Sequence, residues 1–257
     1  GNAFGSMWFN KRADLSKDFD VTVNLNFGTK DANGADGMVF AFQDECTSSG
    51  SPGGSLGIGG VTPSLVVKYD VFQNPNDLAD DHIAITKNGS VDFSSSTFSV
   101  TGAICALTTC GNIETGQYYK TRIHWIALTK TINVYFEDVL RITYTGDIVA
   151  NIFNGKPYVY WGFTAATGGF NNEQRVQIVQ MPTNIVRLSN IQICQGDAKQ
   201  ISLPGGSNYA WTPNISISNT SISSPIIAPT SNITYFVSYS DACNNTQRDT
   251  IEVTVNP

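Results

Sequence analysis

The sequence predicts an all-β protein, a large β-sandwich followed by a smaller one, on three observations. Apolar and polar residues alternate with a period of two, as in Phe19, Val21, Val23, Leu25 and Phe27 against Asp20, Thr22, Asn24 and Asn26, which gives a strand one apolar and one polar face. Turn dipeptides such as Asn33-Gly34, Asn88-Gly89, Glu137-Asp138 and Asn154-Gly155 punctuate these runs. Charged residues make up only 14% of the 257, against about 25% in an average domain, so polarity is carried by Asn, Ser, Thr and Gly, as in secreted β proteins.

Taken in order, the first strand covers 19–27, and further strands are expected at 37–42, 65–72, 83–86, 119–128, 132–136, 140–144, 158–165 and 175–179. No helical periodicity of comparable strength occurs. Many antiparallel strands joined by tight turns form a sandwich or barrel. Around residues 182–190 the texture changes: after Met181-Pro182 aromatics thin out, and short strands recur between turns rich in Ser, Asn and Pro. This predicts a boundary near Leu188, a first domain over 1–187 and a second over 188–257, with strands at 199–203, 208–212, 234–239 and 250–255.

Charge and hydropathy exclude several partners. Lys and Arg number 15 against 21 Asp and Glu, a net charge of −6 with pI near 4.8, and no basic cluster exists to neutralise phosphates, so nucleic acid is not an expected partner. No stretch approaches 18 consecutive apolar residues, so no membrane insertion by a helix is expected. The opening residues, Gly1 to Arg12, lack the apolar core of a signal peptide, which implies that an exported chain has been processed or trimmed.

The cysteines are at 46, 105, 110, 194 and 243, without zinc or CxxC spacing. Disulfides suit the composition better than the alternative of buried thiols in a reduced protein. Cys105 and Cys110 can close a small loop, while Cys194 and Cys243, near the ends of the second domain, can staple it. Such a bridge would contribute about 4 kcal/mol in the chain-entropy model. Cys46 is then left to stay free or to pair outside the chain.

One segment concentrates carboxylates and amides: Asp70-Val71-Phe72-Gln73-Asn74-Pro75-Asn76-Asp77-Leu78-Ala79-Asp80-Asp81-His82. Asp70, Asn74 and Asp77 with an intervening backbone carbonyl are the oxygen donors that Ca²⁺ takes. The spacing is not that of an EF-hand, and a solvated turn has the same composition.

This segment resembles the metal loop of L-type (legume-lectin-like) lectins, Val-x-Val-Glu-Phe-Asp-Thr-Phe/Tyr-x-Asn followed by Asp and His-Ile-x-Ile. Gly34-Ala35-Asp36-Gly37-Met38-Val39-Phe40-Ala41-Phe42 upstream, Gly53-Gly54-Ser55-Leu56-Gly57, and Gly162-Phe163-Thr164-Ala165-Ala166-Thr167-Gly168 downstream resemble three more of the family's motifs, in the family's order. The resemblance implies a concanavalin-like jelly-roll sandwich in which four loops meet over a calcium ion with the sugar on top. Carried over, Asp70, the main-chain oxygen of Phe72, Asn74 and Asp77 become calcium ligands. Asp36, Asn74 and the backbone near Gly54 and Gly169 become partners of sugar hydroxyls, and Phe72, with Phe170 nearby, offers an aromatic face to the sugar; the alternative for Phe72 is a core aromatic. A cis peptide bond before Asp36 is also implied.

Two departures stand out. Where the family's transition-metal site has Glu, this chain has Lys68, an ammonium that cannot ligate a cation; a second metal is therefore not expected, and His82 is left a structural or hydrogen-bonding role, with metal ligation as its alternative. Family members also carry another strand or two before the region resembling Gly1 to Phe9, so the chain reads as a trimmed fragment whose sheet edge is completed from outside or left open.

The second domain resembles the Ig-like or PKD-like modules of bacterial surface proteins exported by type IX secretion, in Ile193-Cys194-Gln195-Gly196, Tyr209-Ala210-Trp211-Thr212-Pro213 and Ala228-Pro229-Thr230 with Thr234-Tyr235. These imply a spacer in a longer adhesin; Trp211 reads as a core residue, with a sugar platform as the alternative. The resulting expectation is a calcium-dependent carbohydrate-binding module, secreted or on a bacterial surface, with a glycan or polysaccharide and further adhesin modules as partners. The alternative is a scaffold that keeps the fold and acts by protein contacts. Some glucanases share the sandwich, but Glu45, Glu114, Glu137, Glu173 and Glu252 do not form the Glu-x-Asp-x-x-Glu cluster of such enzymes, so no catalytic residues are assigned.

Overall fold

The computed structural model describes residues 2–45, 50–75, 77–241 and 243–257. They fall into two compact units, Gly1–Ile185 and Val186–Pro257. Among the described residues no helix is long and apolar enough to cross a membrane.

In the first unit the strands are β1 (Ala3–Trp8), β2 (Ala13–Asp14), β3 (Phe19–Asn26), β4 (Gly37–Gln43), β5 (Ser64–Asp70), β6 (His82–Lys87), β7 (Ile104–Cys105), β8 (Tyr119–Ile126), β9 (Thr131–Phe136), β10 (Val139–Thr145), β11 (Tyr158–Thr167) and β12 (Arg175–Gln180). One sheet runs β1-β11-β4-β5-β6-β7, with β2 also on β11; the other runs β10-β9-β8-β3-β12. This is a jelly-roll-like sandwich, as expected. The alternating strands belong to the second sheet: in β8 Tyr119, Thr121, Ile123 and Trp125 point inward while Lys120 faces solvent. Phe19 of β3 meets Phe42 edge-on at 4.8 Å and Trp161 at 5.4 Å across the core.

β4 and β5 are buried along their whole length, and the reason is a third layer. Leu56, Ile58 and Val61, in the segment after the short 3₁₀ turn Gly53–Ser55, cover Val39, Ala41 and Val66 on the face away from the main core. A strand apolar on both faces loses its alternation and reads as a continuous apolar run. A single helical turn, Ile148–Asn151, capped by Asp147 Oδ1 accepting from the Ala150 amide at 3.0 Å, lies outside the sequence expectation; four residues are too few to show a period of 3.6. β1 and the strand at 191–194 described next were not expected either.

The second unit contains β13 (Ile191–Cys194), β14 (Lys199–Gln200), β15 (Ser207–Thr212), β16 (Ile226–Ile227), β17 (Ile233–Ser240) and β18 (Thr246–Asn256). A four-stranded sheet, β13-β18-β17-β15, and the β14-β16 pair share one core. Trp211 is 2% exposed, and its indole N–H donates to the Ile222 carbonyl at 2.9 Å. It is a core residue with its one donor satisfied.

The expected Cys194–Cys243 bridge is not formed. Cys194 is an exposed free thiol, and Cys243 is disulfide-bonded elsewhere. β13 pairs in parallel with the far end of β18, Cys194 opposite Asn256, whereas Cys243 precedes the near end of that 11-residue strand. At about 3.3 Å per residue the two lie roughly 30 Å apart, far beyond the Cα separation of about 7 Å that a disulfide tolerates. The Cys105–Cys110 bridge is present, with Cα atoms 5.0 Å apart. The expectation for Cys46 falls outside the described residues.

Candidate functional site

Strand register brings three of the four motif segments to one end of the first sheet. Gly37 pairs with Asp70, Asp70 with His82, and Gly37 with Ala166. Asp36 immediately before β4, the loop after Asp70, and Gly168 after β11 therefore leave neighbouring strands side by side. Gly37 has φ +133°, and a Cβ there would come within 2.3 Å of the Tyr69 carbonyl oxygen, so close approach of β4 to β5 at the site requires glycine. The Ala35–Asp36 peptide bond is cis, as the resemblance implies.

Two glycine-containing segments complete the ring. A Cβ on Gly168 would lie 3.2 Å from Asp36 Oδ2 and 3.7 Å from the Gly53 Cα, and one on Gly54 would lie 3.6 Å from Asn74 Oδ1. Asp36, Gly168, Gly53-Gly54 and Asn74 thus surround one small space. Gly169 is exposed, and a Cβ there would meet nothing within 4 Å; the Phe72 and Phe170 ring centroids are 5.8 Å apart and tilted. Phe72 is only partly buried and stands outside the main core.

Beneath this ring lies a knot of oxygen atoms. Asp70 Oδ1 accepts from the Phe72 amide at 3.2 Å, Asp77 Oδ2 from the Asn74 amide at 3.0 Å, and the Phe72 carbonyl from Asn74 Nδ2 at 3.2 Å. Asp36 Oδ2 is buried with no hydrogen-bond partner among the described residues. Burial, reinforced by the Asp70 charge, pushes the Asp36 carboxyl up to about 6. Burial also pushes Asp70 above the ordinary carboxylate range, against the pull of Lys68 and His82. Carboxylates, a carbonyl and an amide are the hard donors that suit Ca²⁺. A half-turn of the Asn74 amide would set its oxygen beside the Phe72 carbonyl, an arrangement that needs a cation between them. The residues fit a calcium ion.

They do not fit a second metal. Asp70, Asp77 and His82 bring one ligand atom each within 4.8 Å of one another, but the Lys68 ammonium already lies among them, 2.9 Å from Asp70 Oδ2 and 3.6 Å from Asp77 Oδ1. Lys68 is 1% exposed, and its Nζ sits 4.7 Å above the centre of the Phe93 ring, a cation–π contact. His82 Nδ1 donates to the Asp80 carbonyl at 3.2 Å, the ring packs edge-on against Phe93, and burial pushes its pKa below the ordinary imidazole value. Asp80, Cys105 and Cys110 also cluster, but both thiols are consumed in the disulfide.

Sequence reasoning does not single out Phe93, Glu114 or Asn172. Phe93 lies in a Ser-rich stretch with no strand pattern, and its role appears only once β5 and β6 place Lys68 and His82 beneath it. Glu114 and Asn172 meet across the fold, Asn172 Nδ2 donating to Glu114 Oε1 at 2.6 Å. Gly28 and Gly34 are their only trace in the sequence: a Cβ on Gly28 would strike Asn172 Oδ1 at 1.8 Å, and one on Gly34 would strike Glu114 Oε1 at 1.9 Å.

With fold and site in view, comparison with known proteins is direct. The legume lectin β-barrel domain matches residues 1–180, and the chain belongs to this L-type lectin family. Among solved structures it is similar to basic winged bean lectin with Tn-antigen (22% identity, 69% of this chain and 78% of that one, TM-score 0.53). It is also similar to the lectin from Bauhinia forficata in complex with GalNAc (18%, 69% and 78%, TM-score 0.56) and to the exoplasmic/lumenal domain of VIP36 in its Ca²⁺/Man-bound form (16%, 74% and 77%, TM-score 0.51). At such identities these structures speak for the fold.

Proposed function

We propose that this chain is a calcium-dependent carbohydrate-binding module of a secreted or cell-surface bacterial adhesin, binding a glycan and catalysing no reaction. The observation that carries the reading is the convergence of Asp36, Asn74 and the Gly54 and Gly168-Gly169 backbones over the Asp70–Asp77 oxygen knot. Asp70, the Phe72 carbonyl, Asn74 and Asp77 would hold one calcium ion. Bound there, the ion would supply fixed positive charge that neutralises Asp70 and Asp77. Asp36, buried and short of a partner, accepts from sugar hydroxyls, and hydrogen bonds to a carboxylate are among the stronger ones. Asn74 adds its amide N–H, exposed Gly54 and Gly169 leave the backbone approachable, and Phe72 with Phe170 offers an apolar face to sugar C–H groups. The lectin neighbours complexed with sugars support a glycan as the ligand.

Lys68 supports a one-metal site, its ammonium standing where a second cation would need to be. The Cys105–Cys110 bridge suits an oxidising exterior. The second unit, small and with Trp211 in its core, suits an Ig-like or PKD-like spacer that joins further modules of a longer adhesin. A glycan array run in calcium and again with a chelator tests the proposal. Binding to a defined set of glycans in calcium, lost with the chelator, is expected; signal that persists with the chelator, or no signal in calcium, contradicts it.

A further inference from the structure

Asn172 is saturated in an unusual way. Its Oδ1 accepts from the Thr29 amide at 3.1 Å and from its neighbour Glu173 at 3.2 Å; its Nδ2 donates to the Lys30 carbonyl at 2.8 Å and to Glu114 Oε1 at 2.6 Å. One side chain thereby uses its whole hydrogen-bonding capacity to join three loops: 28–36, which carries Asp36; 168–174, which carries Gly169 and Phe170; and the segment before β8 that carries Glu114. Two weaker ties run along the same seam, Lys30 Nζ to Asn171 Oδ1 at 2.6 Å on the surface and Gln174 Nε2 to the Ala35 carbonyl at 3.1 Å. The glycines at 28 and 34 leave room for Asn172 and Glu114, since a Cβ at either position would collide with them.

We infer that Asn172 is a positioning residue that locks the Gly168–Gln174 loop onto the Asp36 loop, with Glu114 as its buried brace. The inference deepens the carbohydrate-binding reading and rests on it for its consequence, because the two locked loops carry Asp36 on one side and Gly169 and Phe170 on the other. Separation by even an ångström would leave the hydrogen-bond partners of one sugar out of register.

The brace has a charge condition. Glu114 is 2% exposed, and its Oε2 has no partner among the described residues. The charged groups acting on it are Asp81 and Asp31, both acidic, while the nearby Lys30 ammonium is engaged with Asn171. Burial, opposed by the hydrogen bond from Asn172 and reinforced by Asp81 and Asp31, pushes the Glu114 carboxyl up to about 8. A carboxyl raised in the folded state supports that state fully below its ordinary value and loses that support as pH rises through the raised one. The lock therefore weakens as pH climbs from the ordinary carboxyl value towards 8 and is at its weakest above it, where burial of the carboxylate outweighs the hydrogen bond it accepts from Asn172.

Amide exchange measured by NMR on the full chain in calcium tests the lock without reference to any sugar. In wild type at pH 7 the Thr29 amide is protected, and its protection factor, corrected for intrinsic exchange, falls at least tenfold by pH 9. In Asn172→Ala it is at least tenfold lower already at pH 7, while β4 and β5 amides keep wild-type protection. In Glu114→Gln it is the same at pH 7 and pH 9. Wild-type protection in Asn172→Ala, or a pH 9 loss that persists in Glu114→Gln, overturns the inference. On a glycan array in calcium, Asn172→Ala is expected to lose at least tenfold in signal; full signal with loosened loops overturns the positioning role. A blank array for wild type refutes the carbohydrate reading and leaves the exchange data to decide the lock.

Discussion

Lys68 concentrates the chemistry of the site into one side chain. A fully buried ammonium costs several kcal/mol in desolvation unless it is paired, and here Asp70, Asp77 and the Phe93 face share that task. It is a cation fixed by the sequence itself, and its presence was legible from the Glu-to-Lys departure in the metal loop. What was not legible was the compensation by Phe93, 25 residues further along the chain, because an aromatic residue in an irregular Ser-rich stretch carries no pattern. Elemental analysis after exchange into Ca²⁺ and Mn²⁺ should find one calcium and no manganese in wild type. Lys68→Glu, which sets a third carboxylate beside Asp70, Asp77 and His82, creates a donor set suited to a transition metal and should retain one Mn²⁺. Stoichiometric manganese in wild type would contradict the one-metal reading. Asn172 shows the opposite limit: in a chain rich in Asn, nothing marks one of them as joining three loops.

At the scale of elements, the strands that face solvent on one side were the easiest to read. β8 and β9 alternate in burial, β3 alternates in sequence although its Thr22 and Asn26 are buried, and expected and observed spans agree within two residues. β4 and β5 were found by apolar runs bounded by turns, although the layer of Leu56, Ile58 and Val61 that buries their second face has no sequence signal of its own. β13 was missed because a four-residue edge strand is too short for a period, and with it went the parallel register to β18 that separates Cys194 from Cys243. Spacing in the chain made that disulfide look natural; strand direction forbids it. Treating native, non-reduced protein with iodoacetamide should therefore alkylate Cys194 and leave Cys105, Cys110 and Cys243 unmodified. A protected Cys194 would show the β13–β18 register to be wrong.

For the whole molecule, the proposed calcium ion would link binding to stability through the first unit. Any ligand that binds only the folded state stabilises it, by about 2.7 kcal/mol at one hundred times its Kd. All four proposed calcium ligands lie in Gly1–Ile185, so millimolar calcium should raise the unfolding temperature of that unit by several degrees and leave the transition of Val186–Pro257 where it was. Differential scanning calorimetry with calcium and with EGTA reads both; an equal shift of both transitions, or none, would place the ion elsewhere. Four short motifs made the candidate site legible. The lock along the loops was not, because it is built from side chains that meet only after folding.

The central claim is that Asp36 is where this molecule holds its sugar. Asp36→Asn keeps the shape and removes the charge that strengthens hydrogen bonds from hydroxyls. The direct measurement is isothermal titration of wild type and Asp36→Asn with the glycan that binds best on the array, in calcium, together with a calcium titration of both proteins. A loss of sugar affinity of about 2 kcal/mol, roughly thirtyfold, with calcium affinity largely unchanged, is the predicted result. Unchanged sugar affinity in Asp36→Asn would contradict the account and place the binding site elsewhere on the molecule.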